Sequence, residues 1–230
     1  MIHLRPANER GHAQHGWLDS HHSFSFANYY DPEFMGFSDL RVINDDRVAP
    51  GTGFGTHPHR DMEIITYVLN GTIEHRDTMN NVSQLKAGEI QVMSAGSGVA
   101  HSEYNASKTD PLNFLQIWVM PNVTGVKPRY AQKDFSALSG INKVISPEGE
   151  GESLPIRQDA NLYQVRLNAE SQTFATQAGR LYYLHIAQGE LTVNDVAMSA
   201  GDGAYIDAEA ALTLATTGTV DALLFELRGH

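Results

Sequence analysis

The sequence predicts an all-β protein made of two tandem copies of one barrel fold, and three observations carry that prediction. Apolar residues fall in short runs rich in β-branched and aromatic side chains, such as residues 63–69 and 114–120, the composition of strands on a pleated, half-buried surface. The 20 Gly and 9 Pro are spread at turn-like intervals and not pooled in a tract, which suits a sandwich or barrel better than a helical bundle. A weak internal repeat pairs residues 67–73 (Tyr67, Asn70, Gly71) with residues 185–191 (His185, Gln188, Gly189), and Lys86-Ala87-Gly88-Glu89 with Ser199-Ala200-Gly201-Asp202. Dividing 230 residues between two copies gives two domains of ordinary size, each able to bury a core.

In the first copy, strands are expected over residues 40–43, 63–69, 91–93 and 114–120. Asp45 and Asp46 follow the first of these. Adjacent strand residues point to opposite faces, so the pair is read as a turn and not as paired carboxylates. Residues 121–130, with Pro121, Gly125 and Pro128, break strand and serve as the connection. A boundary near residue 133 leaves 1–133 as the N-terminal barrel and 134–230 as the C-terminal one. The second copy continues with strands over 181–186, 190–193, 204–206 and 222–227, and the acidic, Gly-rich stretch 146–153 is a solvated loop.

Composition excludes several classes. With no Cys there is no disulfide framework, thiolate nucleophile, thiolate zinc site or cysteine-bound iron–sulfur cluster. The formal charge of −11 is shared between the halves, with 7 Lys+Arg against 13 Asp+Glu up to Asn105 and 9 against 14 beyond it. Neither half offers a basic face for direct nucleic-acid contact or for an anionic membrane. No signal-peptide core or 18-residue apolar stretch is present, so a cytoplasmic protein is expected.

Nine of the 11 His lie at or before His101, and spacing separates ligand candidates from ordinary polar residues. In Gly51-Thr52-Gly53-Phe54-Gly55-Thr56-His57-Pro58-His59, two imidazoles stand two residues apart. On extended backbone both project from one face and converge on one point inside a barrel. His101 and Glu103 repeat the spacing downstream of Gly96-Ser97-Gly98, read as a tight glycine turn. Together the pairs make a site of three nitrogens and one carboxylate. The remaining His are read blandly: His75 and His185 as satisfied strand residues, and His12, His15, His21 and His22 as polar contacts in an aromatic-rich segment. That segment, with Trp17, Phe24, Phe26, Tyr29 and Tyr30, can cover the barrel mouth.

Gly51, His57, His59 and Gly71 resemble the first motif of the cupin superfamily, and Gly88, His101 and Asn105 the second. More narrowly, residues 16–20 and 24–32, then Gly55-Thr56-His57-Pro58-His59, then residues 93–98 with His101-Ser102-Glu103, resemble the pirin family. The match is dense over about the first 120 residues and looser beyond them. It implies a bicupin in which the N-terminal barrel alone holds a metal, on His57, His59, His101 and Glu103. Glu63 lies where one version of the first cupin motif has a ligand, but it stands one residue further from Gly71. Period-2 alternation then turns it away from the face of Ile64 and makes it a surface or rim residue.

Three neutral imidazoles and one carboxylate suit Fe(II), Mn(II), Ni(II), Co(II) or Cu(II), and an octahedral ion would keep two open positions; zinc also fits, though its four-ligand preference fills the site. The resemblance puts Fe(II) first. It also implies quercetinase activity, in which O2 opens the central ring of a flavonol such as quercetin with release of carbon monoxide, and Glu103 takes the 3-hydroxyl proton. The competing expectation is a non-enzymatic, metal-binding regulatory protein of the pirin type with a protein partner. The C-terminal copy lacks the paired His and is expected to hold no metal.

Overall fold

The structure is a computed structural model that describes residues 1–229. It is almost entirely β, as expected; among the described residues the one helical element is a single 3-10 turn, Ala7–Glu9. No helix among them is long and apolar enough to cross a membrane.

The first barrel is one nine-stranded sheet in which Gly11–Gln14, Leu18–His22, Leu40–Val48, Leu112–Val119, Gly53–Asn70, Glu89–Asn105, Thr72–Asp77 and Val82–Lys86 follow one another, and Arg129–Asp134 pairs with Glu89–Asn105. The second barrel is a seven-stranded sheet facing a four-stranded one, Ser171–Ala175, Ala211–Ala215, Glu190–Val193 and Val196–Ser199. Its buried interior is apolar, with Leu184, Ile186, Leu191, Leu212 and Leu224. His185 is buried in the Leu181–Gln188 strand.

Two strands of the first barrel, Gly53–Asn70 and Glu89–Asn105, run 18 and 17 residues and pair along most of their length. They curve because the register slips between His59 and Asp61, opposite Val99 and Gly96. Asp61 and Gly96 take positive φ there, 63° and 52°, and such bulges bend a strand and increase its twist. The expected glycine turn before His101 is therefore a bulge within a continuous strand. Asp45 and Asp46 are not a turn either: both lie inside Leu40–Val48. Asp45 accepts from Asn113 Nδ2 at 2.8 Å and pairs with Arg10 at 3.5 Å, while Asp46 accepts from the Ser20 hydroxyl. Hydrogen bonds of this kind offset the cost of burying a carboxylate.

Glu63 is also corrected. It does turn from the face of Ile64, yet that side is covered by the second barrel and not by water. It is fully buried, accepting from Ser94 Oγ at 2.7 Å and from the Arg157 backbone N–H at 3.1 Å.

The largest apolar cluster crosses between the barrels. Ile65, Leu115 and Ile117 of the first meet Leu162, Leu223 and Phe225 of the second, and Phe24 sits 5.4 Å from the Tyr183 ring. Each such side chain, fully buried, contributes about 1.5–3 kcal/mol. Beside it the Tyr67 hydroxyl donates to Asp221 at 2.7 Å and accepts from Gln164 Nε2 at 2.9 Å. A strand also crosses between the barrels: Ile2–Arg5, on the N-terminal side of a division at 133, pairs antiparallel with Gly203–Ile206, Leu4 opposite Ala204.

Candidate metal centre

The two long strands bring the predicted imidazoles together. His57 stands directly opposite His101 in the pairing, and alternation puts His59 on the same face. His101 Nε2 lies 3.0 Å from His57 Nε2 and 2.9 Å from His59 Nε2. An octahedral ion with bonds of about 2.1 Å separates neighbouring ligand atoms by about 3.0 Å, whereas a tetrahedral one needs about 3.4 Å. The nitrogens thus have the spacing of adjacent octahedral corners. The His57 Nδ1–H donates to Gly55 O at 2.7 Å, which fixes the tautomer that turns the Nε2 lone pair inward.

Electrostatics agree with this donor set. Burial, then the charge His57 would carry, pushes His59 down to about 4. Burial followed by His59, His57 and His75 pushes His101 down to about 2. Both rings are neutral at pH 7, as ligands must be. Glu103 is pushed up to about 7 by burial and then by Asp46, against the hydrogen bonds from Thr66 and Gln116. Its Oε2 lies 3.8 Å from His101 Nε2 and accepts from Gln116 Nε2 at 3.0 Å; Thr66 Oγ1 donates to Oε1 at 3.4 Å. The carboxylate is therefore adjacent to the cluster of three nitrogens but oriented by these two donors.

Sequence reasoning missed three contributors. His75 is buried behind His101, ring centroids 5.3 Å apart, and its Nε2–H donates to Asp77 Oδ2 at 2.7 Å. With His101 and Glu103 it forms a second, overlapping group of metal-capable atoms. The signal was the i, i+2 spacing of His75 and Asp77, which face Glu103 and His101 across the sheet. Gln116 and Asp46 had no such signal: Gln116 is a lone polar residue between Leu115 and Ile117, and Asp46 stands beside Asp45 in a run that reads as a turn.

Against the His57 and His59 side of the cluster lies a pocket of about 400 Å³, a size ordinary for small-molecule sites. Leu18, Phe26, Phe54 and Trp118 give it apolar walls, and Ser20, Asn44, Asp46 and Gln116 a polar stripe. Burial raises Asp46 to about 7, against the Ser20 hydrogen bond. The aromatic-rich N-terminal segment contributes Phe26, edge-on to Trp118 at 5.5 Å. Trp17 packs on Phe54 at 5.1 Å. Phe24 belongs instead to the core between the barrels, and Tyr30 is exposed.

Fold and site together define a bicupin with an imidazole cluster in its first barrel. The Pirin family model matches residues 3–119, and the quercetinase C-terminal cupin domain model residues 143–227. The chain belongs to the pirin family. It is 53% identical over 228 residues to quercetin 2,3-dioxygenase of Escherichia coli K12, 99% of each chain being covered. It is 42% identical to a pirin-like protein of Caulobacter vibrioides, over 98% of this chain and 99% of the other. Among solved structures, the bacterial pirin YhhW from Escherichia coli in complex with nickel(II) matches at 52% identity and a TM-score of 0.96, with both chains fully covered.

Proposed function

We propose that this chain is a metal-dependent dioxygenase that opens the central ring of a flavonol such as quercetin. The reaction consumes one O2 per flavonol and releases one carbon monoxide, leaving a ring-opened ester that retains every other atom. The observation that carries the reading is the convergence of three neutral imidazole nitrogens beside an apolar pocket with a polar stripe, in a chain 53% identical to a quercetin 2,3-dioxygenase.

In this reading His57, His59, His101 and Glu103 hold one divalent ion, Fe(II) first, with Mn(II), Co(II), Ni(II), Cu(II) and Zn(II) as alternatives. When bound, the ion supplies Lewis acidity toward the flavonol 3-hydroxyl and access to O2 chemistry. Glu103, whose pKa burial raises to about 7 before any ion binds, is the group that accepts the 3-hydroxyl proton. Phe26, Phe54 and Trp118 present aromatic surfaces to a flat substrate and keep water out. Ser20, Asn44 and Gln116 offer hydrogen-bond partners to its hydroxyls. The reading extends to a cytoplasmic location and to a division at residue 133, with 134–230 as a closing barrel that holds no metal.

The test combines elemental analysis with measurement of O2 uptake and carbon monoxide release on quercetin. Equal amounts of O2 consumed and carbon monoxide released are expected, and the paired substitutions His101→Ala and Glu103→Ala are expected to abolish metal and turnover together. Full activity in the metal-free double variant, or no turnover with any reconstituted ion, would overturn the proposal.

A further inference from the structure

The antiparallel ribbon of Gly11–Gln14 and Leu18–His22 has two different faces. Leu18, Ser20 and His22, with Ala13 across from Ser20, line the pocket. The alternate residues His12, Asp19 and His21 share the opposite face, His12 directly paired with His21. There His12 Nε2 stands 2.8 Å from Asp19 Oδ1, and His21 Nδ1 stands 3.7 Å from the same oxygen. The two rings lie nearly parallel with centroids 4.5 Å apart, and the three potential ligand atoms are all within 4.8 Å of one another.

A His–Asp hydrogen bond accounts for His12 but not for His21. The Nδ1 of His21 is closed to solvent and has no hydrogen-bond partner, and an unpaired buried polar atom is costly. Burial and then Arg10 hold the His21 pKa below its usual value, with Asp19 and Asp45 opposing and His12 adding to the shift. The shift disfavours the imidazolium, the form that has no lone pair to offer. The neighbouring strand places Asp45 opposite His21 and Arg47 opposite Asp19. Arg10, the cation whose charge acts on His21, is already engaged by Asp45 at 3.5 Å.

We propose that His12, Asp19 and His21 form a second metal site, for a borderline divalent cation of the Zn(II), Ni(II) or Cu(II) kind, on the outer face of the ribbon that walls the pocket. Two imidazoles and one carboxylate favour these ions over Mg(II) or Ca(II), which take oxygen ligands. Three protein ligands leave a further position for water. The ion satisfies His21 Nδ1 and ties the two strands together across their paired side chains. It shares no ligand with the central cluster, so the two sites fill independently. Because Ser20 and His22 project from the same strand into the pocket, occupancy of the outer site stiffens that wall.

Zinc titration of tag-free protein by calorimetry tests the site. Two equivalents per chain are expected for the metal-free wild type and one for the His57→Ala/His101→Ala variant, which breaks both overlapping groups of the central cluster. Adding His12→Gln and His21→Gln to that variant is expected to remove the remaining equivalent, with an unchanged circular dichroism spectrum. Should the fourfold variant fail to fold, imidazole NMR resonances of the wild type replace it: the second equivalent of zinc is expected to shift those of His12 and His21. No uptake by the His57→Ala/His101→Ala chain, uptake that survives His12→Gln/His21→Gln, or unmoved His12 and His21 resonances would overturn the proposal.

Discussion

Asp46 shows how much one buried carboxyl can say about the pocket. Its pKa is raised to about 7 by burial, so the folded chain holds its proton over a range in which the unfolded chain has released it. A carboxyl raised in this way favours folding most fully below its unfolded pKa, and that contribution is lost as pH climbs toward 7. Asp46→Asn keeps an acceptor for Ser20 and removes the ionisation. In urea unfolding of the metal-free chain, the variant is expected to gain stability relative to wild type between pH 4 and 8, by up to about 4 kcal/mol. A difference that does not change with pH would contradict the assignment. The four residues read as ligands, His57, His59, His101 and Glu103, were legible because their i, i+2 spacing carries its own geometry. His75, Gln116 and Asp46 were not, because their meaning depends on which strand lies alongside, as with His75 opposite Glu103.

The two long strands work as a unit, and glycine decides how closely they approach. A Cβ on Gly53 would lie 2.3 Å from Glu103 O and 2.5 Å from Tyr104 Cα, so Gly53→Ala must push back the strand that carries His101 and Glu103. Overpacking of this kind costs about 1–3 kcal/mol. The substitution is expected to lower the melting temperature and, unlike a distant destabilising change, also to weaken metal uptake; calorimetric melting and titration check the two effects. The existence of these strands was readable from their β-branched runs, but their continuity was not. Gly96 and Gly98 looked like a turn because glycines so often make one, and Asp45 and Asp46 because adjacent strand residues point to opposite faces and do not pair. In this barrel some of them face a polar interior, and others accommodate a bulge.

The largest apolar cluster and the Tyr67 network both lie between the barrels, so the molecule as a whole is expected to unfold as one body. Tyr67→Phe leaves Asp221 and Gln164 without their shared partner, and a loss of about 1–3 kcal/mol is expected. Unfolding should remain a single transition in wild type and variant alike, as measured by fluorescence and circular dichroism together; separate transitions for the two barrels would show that the interface does not couple them. The internal repeat made the two-barrel plan legible, whereas the crossing strand was invisible, since Ile2–Arg5 has no feature that names a distant partner. That crossing sets an order of events during synthesis. Leu4 cannot meet Ala204 until the chain as far as Ala204 has been made. Throughout that interval the Ile2–Arg5 segment lacks the strand it pairs with and remains open to any enzyme that acts on nascent chains, and completion of the second sheet ends its exposure.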